Sequence, residues 1–404
     1  MHATLRSLLP GLLVACVMTA CGDDDHGRHH AGRSHADDRG RDARLNIELG
    51  PRPHYLVDGM TSSALKRELL ACKNDAPRKS DFSIGHRGAP LQFPEHTQES
   101  YQAAARMGAG IIECDVTFTR DGELVCRHAE CDLHTTTNIV ATDLNARCTV
   151  PWSGPGSRPQ CCASDLTLAE FKTLTGKMDA ANPAATTAAG YLGGTANWRT
   201  DVYTGRGTLL THAESIRLIK GLGAKFTPEL KSGNPERVNA VFGSQEAYAQ
   251  KLIDEYKAAR IPARNVWPQS FNIDDVLYWV EHEPRYGRQA VYLDNIDPTA
   301  APAVPGLTFG ELRAVAEAGV NIFAPPMWAL LSVRNGRVVP SDYAHEIKRA
   351  GLDIITWTFE RSNLTQGAAH RRREDVHAGL GDRAQLAEGE SRYRRCGGRI
   401  DVVE

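Results

Sequence analysis

From about residue 83 the chain alternates short apolar runs with stretches of helical spacing. The runs at 83–88, 110–118, 224–230, 266–271, 289–294, 320–324 and 353–359 predict strands. The stretches at 99–107, 247–259, 274–281, 308–318 and 343–349 predict helices. In the second of these, Tyr248, Leu252, Ile253 and Tyr256 fall on one stripe of a helix surface. Repeated strand–helix units imply a parallel sheet, and single helices between strands over this length favour an α/β fold of the closed (β/α)8 TIM-barrel type.

Two features disturb the count. Residues 129–208 hold Pro, Gly and Ser clusters and four cysteines, and predict an insertion after the second strand, partly stapled by disulfides. After Glu360 the pattern stops: residues 362–404 carry eight Arg against seven Leu, Ile, Val or Phe. Seven strands are legible and an eighth is missing or atypical, although a closed barrel leaves no strand edge unpaired. Two origins for the tail are open. It is out of frame, with an indel near the codons for residues 367–371, or it is a divergent ending whose strand-like piece at 400–403 supplies the eighth strand.

Residues 1–21 place one Arg before an apolar run from Leu8 to Met18, too short to span a bilayer, which has the pattern of an export signal. The run ends Met18-Thr19-Ala20-Cys21 and resembles a bacterial lipoprotein signal, with Cys21 as the lipidated residue. Residues 22–45 are polar and too poor in apolar side chains to fold, and read as a solvated tether despite His26, His29, His30 and His35. The expected organisation is therefore signal 1–21, tether 22–45, barrel 46–361 and tail 362–404. The expected location is the bacterial envelope, on the periplasmic face as a lipoprotein. Membrane contact is expected only through the anchor at Cys21.

Composition is that of a globular chain: 41% hydrophobic and 24% charged residues, with 47 basic against 49 acidic side chains. A net charge of −2 gives no bulk attraction to nucleic acid, and no such partner is expected. Export permits disulfides. Setting aside Cys16 and Cys21, eight cysteines remain, at 72, 114, 126, 131, 148, 161, 162 and 396. Cys148 with Cys161 or Cys162 closes a Pro/Gly-rich loop and is the first pairing to test. The spacings match no ordinary zinc pattern.

The chemistry concentrates between Ser83 and Thr137. On the strand Ile111-Ile112-Glu113-Cys114-Asp115-Val116, alternation puts Glu113 and Asp115 on the inner face and Cys114 on the outer one, as a small apolar thiol. Two inward carboxylates repel unless a cation with oxygen ligands neutralises them. Glu229 and Lys231 again share a face, and Glu229 could complete a three-carboxylate set. His86 and Arg87 end the first strand, where an Arg can clamp a phosphate and a His can move protons. His128 follows a hairpin with its turn at 119–122.

The ordered set His86-Arg87-Gly88-Ala89, Pro94-Glu95-His96-Thr97, Glu113-x-Asp115, Thr119-x-Asp121-Gly122, His128, the 133–137 stretch, Glu229-x-Lys231, Gln269-Ser270-Phe271 and Trp357-Thr358 resembles the glycerophosphodiester phosphodiesterase family. The resemblance implies a metal-dependent enzyme that cleaves small-molecule glycerophosphodiesters to glycerol 3-phosphate and an alcohol. It implies one divalent ion, Ca2+ or Mg2+, on Glu113, Asp115 and Glu229, and His86 with His128 as the acid/base pair. Arg87 and Lys231 would contact the phosphate. Glu95 would belong to the site as a hydrogen-bonding or metal-proximal carboxylate. Gln269, Phe271 and Trp357 would line the pocket for the glycerol or the leaving alcohol. Two other readings stand beside this one: a lysophospholipase D-like activity on lipid, and an inactive envelope protein that binds such diesters.

Overall fold

The structure, a computed structural model, describes residues 47–50, 57–72, 77–358 except 198, 202, 298–303 and 336, and the backbone of 399–400. The chain divides into residues 1–44 and a second unit, Leu45–Glu404, to which everything below belongs. The expected signal, Cys21 and the tether lie outside the described residues.

Seven parallel strands follow in chain order: β1 (Ser80–Gly85), β2 (Ala109–Phe118), β4 (Lys225–Leu230), β5 (Gln269–Ser270), β6 (Val291–Leu293), β7 (Ile322–Ala324) and β8 (Asp353–Thr356). Between β2 and β4, the short β3 (Leu124–Cys126) folds back antiparallel on β2. The eighth barrel position holds only the two-residue β9 (Arg399–Ile400), parallel to β8 and touching β1 through Ser83↔Ile400. The fold is thus a (β/α)8 barrel with an atypical eighth strand. Ile400 belongs to the strand-like piece of the tail. The rest of the tail, 362–398 and 401–404, lies outside the described residues.

Helices α1 (Gln98–Met107), α2 (His212–Gly221), α3 (Gln245–Ala258), α4 (Ile273–His282), α5 (Phe309–Glu317) and α6 (Asp342–Arg349) cover the barrel. Each is started by a Ser, Thr or Asn whose side chain accepts a backbone N–H of the first turn. Thr211 and Thr308 form full capping boxes with Glu214 and Glu311. These caps sit in the loops after the strands, so the helix starts and the barrel mouth are built from the same residues.

Alternation along β2 sorts the core into two layers. Ile112, Cys114, Val116 and Phe118 pack outward against Tyr101, Tyr248, Leu252, Tyr256 and Trp279. Ile111 points inward with Ile84, Trp267, Val291, Leu293, Ala324 and Ile355, an apolar filling inside the barrel. Glu113 and Asp115 continue this inner face toward the mouth. The insertion at 129–208 has its own core, including Leu133, Ile139, Phe171, Leu174 and Tyr191. Two disulfides staple it, Cys148–Cys161 and Cys131–Cys162. The first is one of the two pairings suggested by the loop.

Two expectations need correction. Cys114 does face the helices, but it is not a thiol: it is bonded to Cys126 across the β2–β3 hairpin. The first strand ends at Gly85 rather than at 88. Arg87 (φ 60°) and Gly88 (φ +90°) take left-handed backbone there, which no strand accommodates. A Cβ on Gly88 would meet Ser100 Oγ at 2.3 Å, in the place where that hydroxyl accepts from Ala89 N.

Candidate active site

The site is assembled at the C-terminal ends of the strands, the end at which barrel active sites lie. Parallel register does most of the work. Asp115 on β2 stands opposite Glu229 on β4, and Glu229 stands opposite Gln269 on β5. Neighbouring strands run about 4.8 Å apart, so these side chains share one level of the barrel. Oxygens of Glu113, Asp115 and Glu229 come within 4.8 Å of one another, and all three residues are buried. The carboxylate set expected from the sequence therefore does converge.

Around it stand the other expected residues. His86 Nε2 lies 3.7 Å from Glu113 Oε2, and His86 Nδ1 shares a hydrogen bond with Thr358 Oγ1. Arg87 donates its backbone N–H to Glu113 Oε2 at 2.9 Å and its Nη1 to Glu95 Oε2 at 2.9 Å, with Nε 3.6 Å from Asp115 Oδ2. Lys231 Nζ donates to Glu229 Oε1 at 2.5 Å and sits 5.8 Å from the centre of the Phe271 ring. Phe271 meets Trp357 edge to face at 5.7 Å. His128 follows Arg127, whose backbone N–H donates to the Asp115 carbonyl at 2.9 Å and so ties this segment to β2 at the cluster.

Gln269 differs from its expected place. It does not stand free on the pocket wall: Nε2 donates to Glu113 Oε1 at 2.8 Å. It holds that carboxylate from two strands away, across β4. Glu95 likewise meets Arg87, and its backbone carbonyl accepts from Arg127.

Three residues of this neighbourhood carried no site role in the sequence reading. His96 donates through Nε2 to the Asp115 carboxylate at 2.8 Å, with Nδ1 3.0 Å from Tyr101 OH. Arg127 is fully buried and donates Nε to the Cys126 carbonyl at 2.7 Å. Thr358 braces His86. His96 and Thr358 belong to motifs that were legible. Arg127, next to His128 on an apolar strand, offered no signal beyond being a charge in an apolar run.

The electrostatics separate the groups. Burial works against ionising Asp115, yet Lys231 and His96 outweigh it and hold its carboxyl well below the usual range. Burial pushes Glu229 up to about 7, against the pull of Lys231. Burial, then Arg87 and Lys231, push His128 down to about 2, so its imidazole is neutral at physiological pH.

The residues fit a divalent cation. Oxygen ligands about 2.3–2.6 Å from one ion lie no more than about 5 Å from each other, and the three carboxylates meet that span. Asp115 Oδ1 and Gln269 Oε1 are buried without a hydrogen-bond partner among the described residues, which leaves acceptor oxygen without a donor at this cluster.

Comparison with known proteins agrees with the geometry. The profile of the glycerophosphoryl diester phosphodiesterase family matches residues 86–382, more than half of the chain. The chain belongs to this family of phosphoric diester hydrolases. An extracellular protein of Arthroderma benhamiae is 45% identical over 190 residues, covering 46% of this chain and 76% of that protein. The glycerophosphodiester phosphodiesterase GDPD6 of Arabidopsis thaliana is 26% identical over 216 residues, covering 52% of this chain and 50% of the plant protein. A solved structure, an Oleispira antarctica phosphodiesterase in complex with sn-glycerol-3-phosphate, is 18% identical with a TM-score of 0.44, covering 77% of this chain and 93% of that one.

Proposed function

We propose that the chain hydrolyses glycerophosphodiesters to glycerol 3-phosphate and an alcohol. The observation that carries this reading is the meeting of Glu113, Asp115 and Glu229 with His86, Arg87, His128 and Lys231 at one barrel mouth. In this reading Glu113, Asp115 and Glu229 hold one divalent ion, Ca2+ or Mg2+. When bound, that ion supplies positive charge against the phosphoryl oxygens.

The chain's own residues do the rest. Arg87 and Lys231 bring two cationic side chains to the phosphate and stabilise charge that develops on its oxygens. His128 takes a proton from the attacking oxygen, of the adjacent glycerol hydroxyl or of water, once the negative phosphate offsets the Arg87 and Lys231 charges that otherwise hold its basicity down. His86, steadied by Thr358 on Nδ1, presents Nε2 to the site and gives a proton to the leaving alkoxide. Gln269 keeps Glu113 in place, and Glu95 does the same for Arg87. Phe271 and Trp357 form an aromatic wall for the glycerol or the leaving alcohol.

The test is release of glycerol 3-phosphate from glycerophosphocholine, followed by a coupled dehydrogenase, using chain lacking residues 1–45 with and without a divalent ion. Ion-dependent release is expected. Lysophosphatidylcholine as the preferred substrate would replace this reading with a lipid-directed one, and release from neither would refute it.

We also propose that the protein is exported. Three disulfides among the described residues support this, since such bonds persist in oxidising compartments. So does the name of the fungal relative, an extracellular protein. Fractionation of cells should place the wild type in the envelope and a Cys21→Ala variant among soluble exported proteins; finding the wild type in the cytoplasm would overturn the proposal.

A further inference from the structure

The three disulfides are unevenly placed around His128. Cys126, two residues before it, is bonded to Cys114, which lies on β2 between Glu113 and Asp115. Cys131, three residues after it, is bonded to Cys162 in the insertion. The third bond, Cys148–Cys161, closes a loop within the insertion, and Cys161 reaches the chain only beyond the second flank, where its carbonyl accepts from Leu133 N at 3.1 Å.

The residues on either side of His128 are held by their side chains: Arg127 donates to the Cys126 and Glu95 carbonyls, and Glu130 accepts from Ser164, Asn234 N and Arg237. His128 lies in neither strand nor helix. The strand that leads to it, β3, has three residues and ends the sheet, with β2 as its strand neighbour. Beyond that ladder, Cys126 N donates to the Leu210 carbonyl at 3.1 Å and Arg127 N to the Asp115 carbonyl at 2.9 Å. A short strand at an edge is weakly held by its own hydrogen bonds. Yet a proton-transfer group must sit within a few tenths of an ångström of its productive place, and a shift of about 1 Å can cost about a hundredfold in rate.

We infer that Cys114–Cys126 and Cys131–Cys162 are positioning elements for His128. One ties the start of its segment to the strand that carries Glu113 and Asp115, and the other ties its end to the insertion. The inference rests on the phosphodiesterase reading, in which His128 moves a proton.

Three paired variants test it: Cys114→Ala with Cys126→Ala, Cys131→Ala with Cys162→Ala, and Cys148→Ala with Cys161→Ala. Each is made in the wild type and in a His128→Ala background. Turnover of glycerophosphocholine is normalised to the folded fraction. The first two pairs should lower kcat by about tenfold or more while KM changes by less than about twofold. The third should lower the thermal midpoint and leave kcat within about twofold. In the His128→Ala background the first two pairs should cause no further fall, because what they position is gone.

Equal losses from all three pairs, or a further loss in the His128→Ala background, would show a general structural role and overturn the inference. So would unchanged kcat in the first two pairs. If the first alanine pair does not fold, Cys114→Val with Cys126→Ala refills the apolar space and is measured in its place. No glycerol 3-phosphate from the wild type would instead overturn the phosphodiesterase reading.

Discussion

Replacing His128 or His86 by alanine is expected to lower kcat on glycerophosphocholine at least about a hundredfold, the scale of losing a general acid or base. The two losses should differ in kind. His128 is held neutral by burial and by the nearby Arg87 and Lys231, and its strength as a base rises when the negative phosphate offsets those two cations. His86 has Thr358 on one ring nitrogen and Glu113 3.7 Å from the other, an arrangement that fixes the ring with Nε2 toward the reacting groups. A leaving group that needs no proton separates them. With a p-nitrophenyl diester of glycerol phosphate, His86→Ala should regain most of its rate and His128→Ala should not. Near-normal turnover of glycerophosphocholine in either variant would remove that histidine from the mechanism.

The second large effect concerns the carboxylates. Chelation with EDTA, or any one of Glu113→Gln, Asp115→Asn and Glu229→Gln, should lower turnover at least about a hundredfold, as loss of preorganised charge does elsewhere. Adding Ca2+ or Mg2+ back should restore the chelated wild type and not the variants. The pH dependence of ion binding has a definite sign. Burial raises Glu229 to about 7, so below that pH an ion must displace a proton from its carboxyl. Apparent affinity should therefore rise with pH up to about 7 and level off above it. An affinity independent of pH between about 5 and about 8 would mean that Glu229 is not held up near 7.

Much of this site was legible along the chain because strand geometry is periodic. Alternation alone puts Glu113 and Asp115 on one face and Cys114 on the other, and the structure has that arrangement. Glu229 joins them because parallel strands register Asp115 against it, a long-range fact that Glu229-x-Lys231 suggested but could not establish. The residues around Arg87 were placed less well. A strand pattern continues through His86 and Arg87, whereas the backbone turns left-handed there to bring Arg87 N onto Glu113. The Cys114–Cys126 bond was within reach of the hairpin reading. The turn at 119–122 pairs Val116 with Cys126, which leaves Cys114 diagonal to it on the same face. Helix α2 was not among the helices read from the sequence, although the box Thr211-x-x-Glu214 opens it. Contacts such as Gln269 on Glu113 and Arg127 on the Glu95 carbonyl join segments far apart in sequence, and no local pattern encodes them.

The most direct test of the account is to locate the ion. Crystals soaked in Mn2+ and measured for anomalous scattering should show one peak within about 2.5 Å of oxygens from Glu113, Asp115 and Glu229, with His86 and His128 on its open side. A peak bound elsewhere, or carboxylates that stay apart with no ion among them, would contradict it.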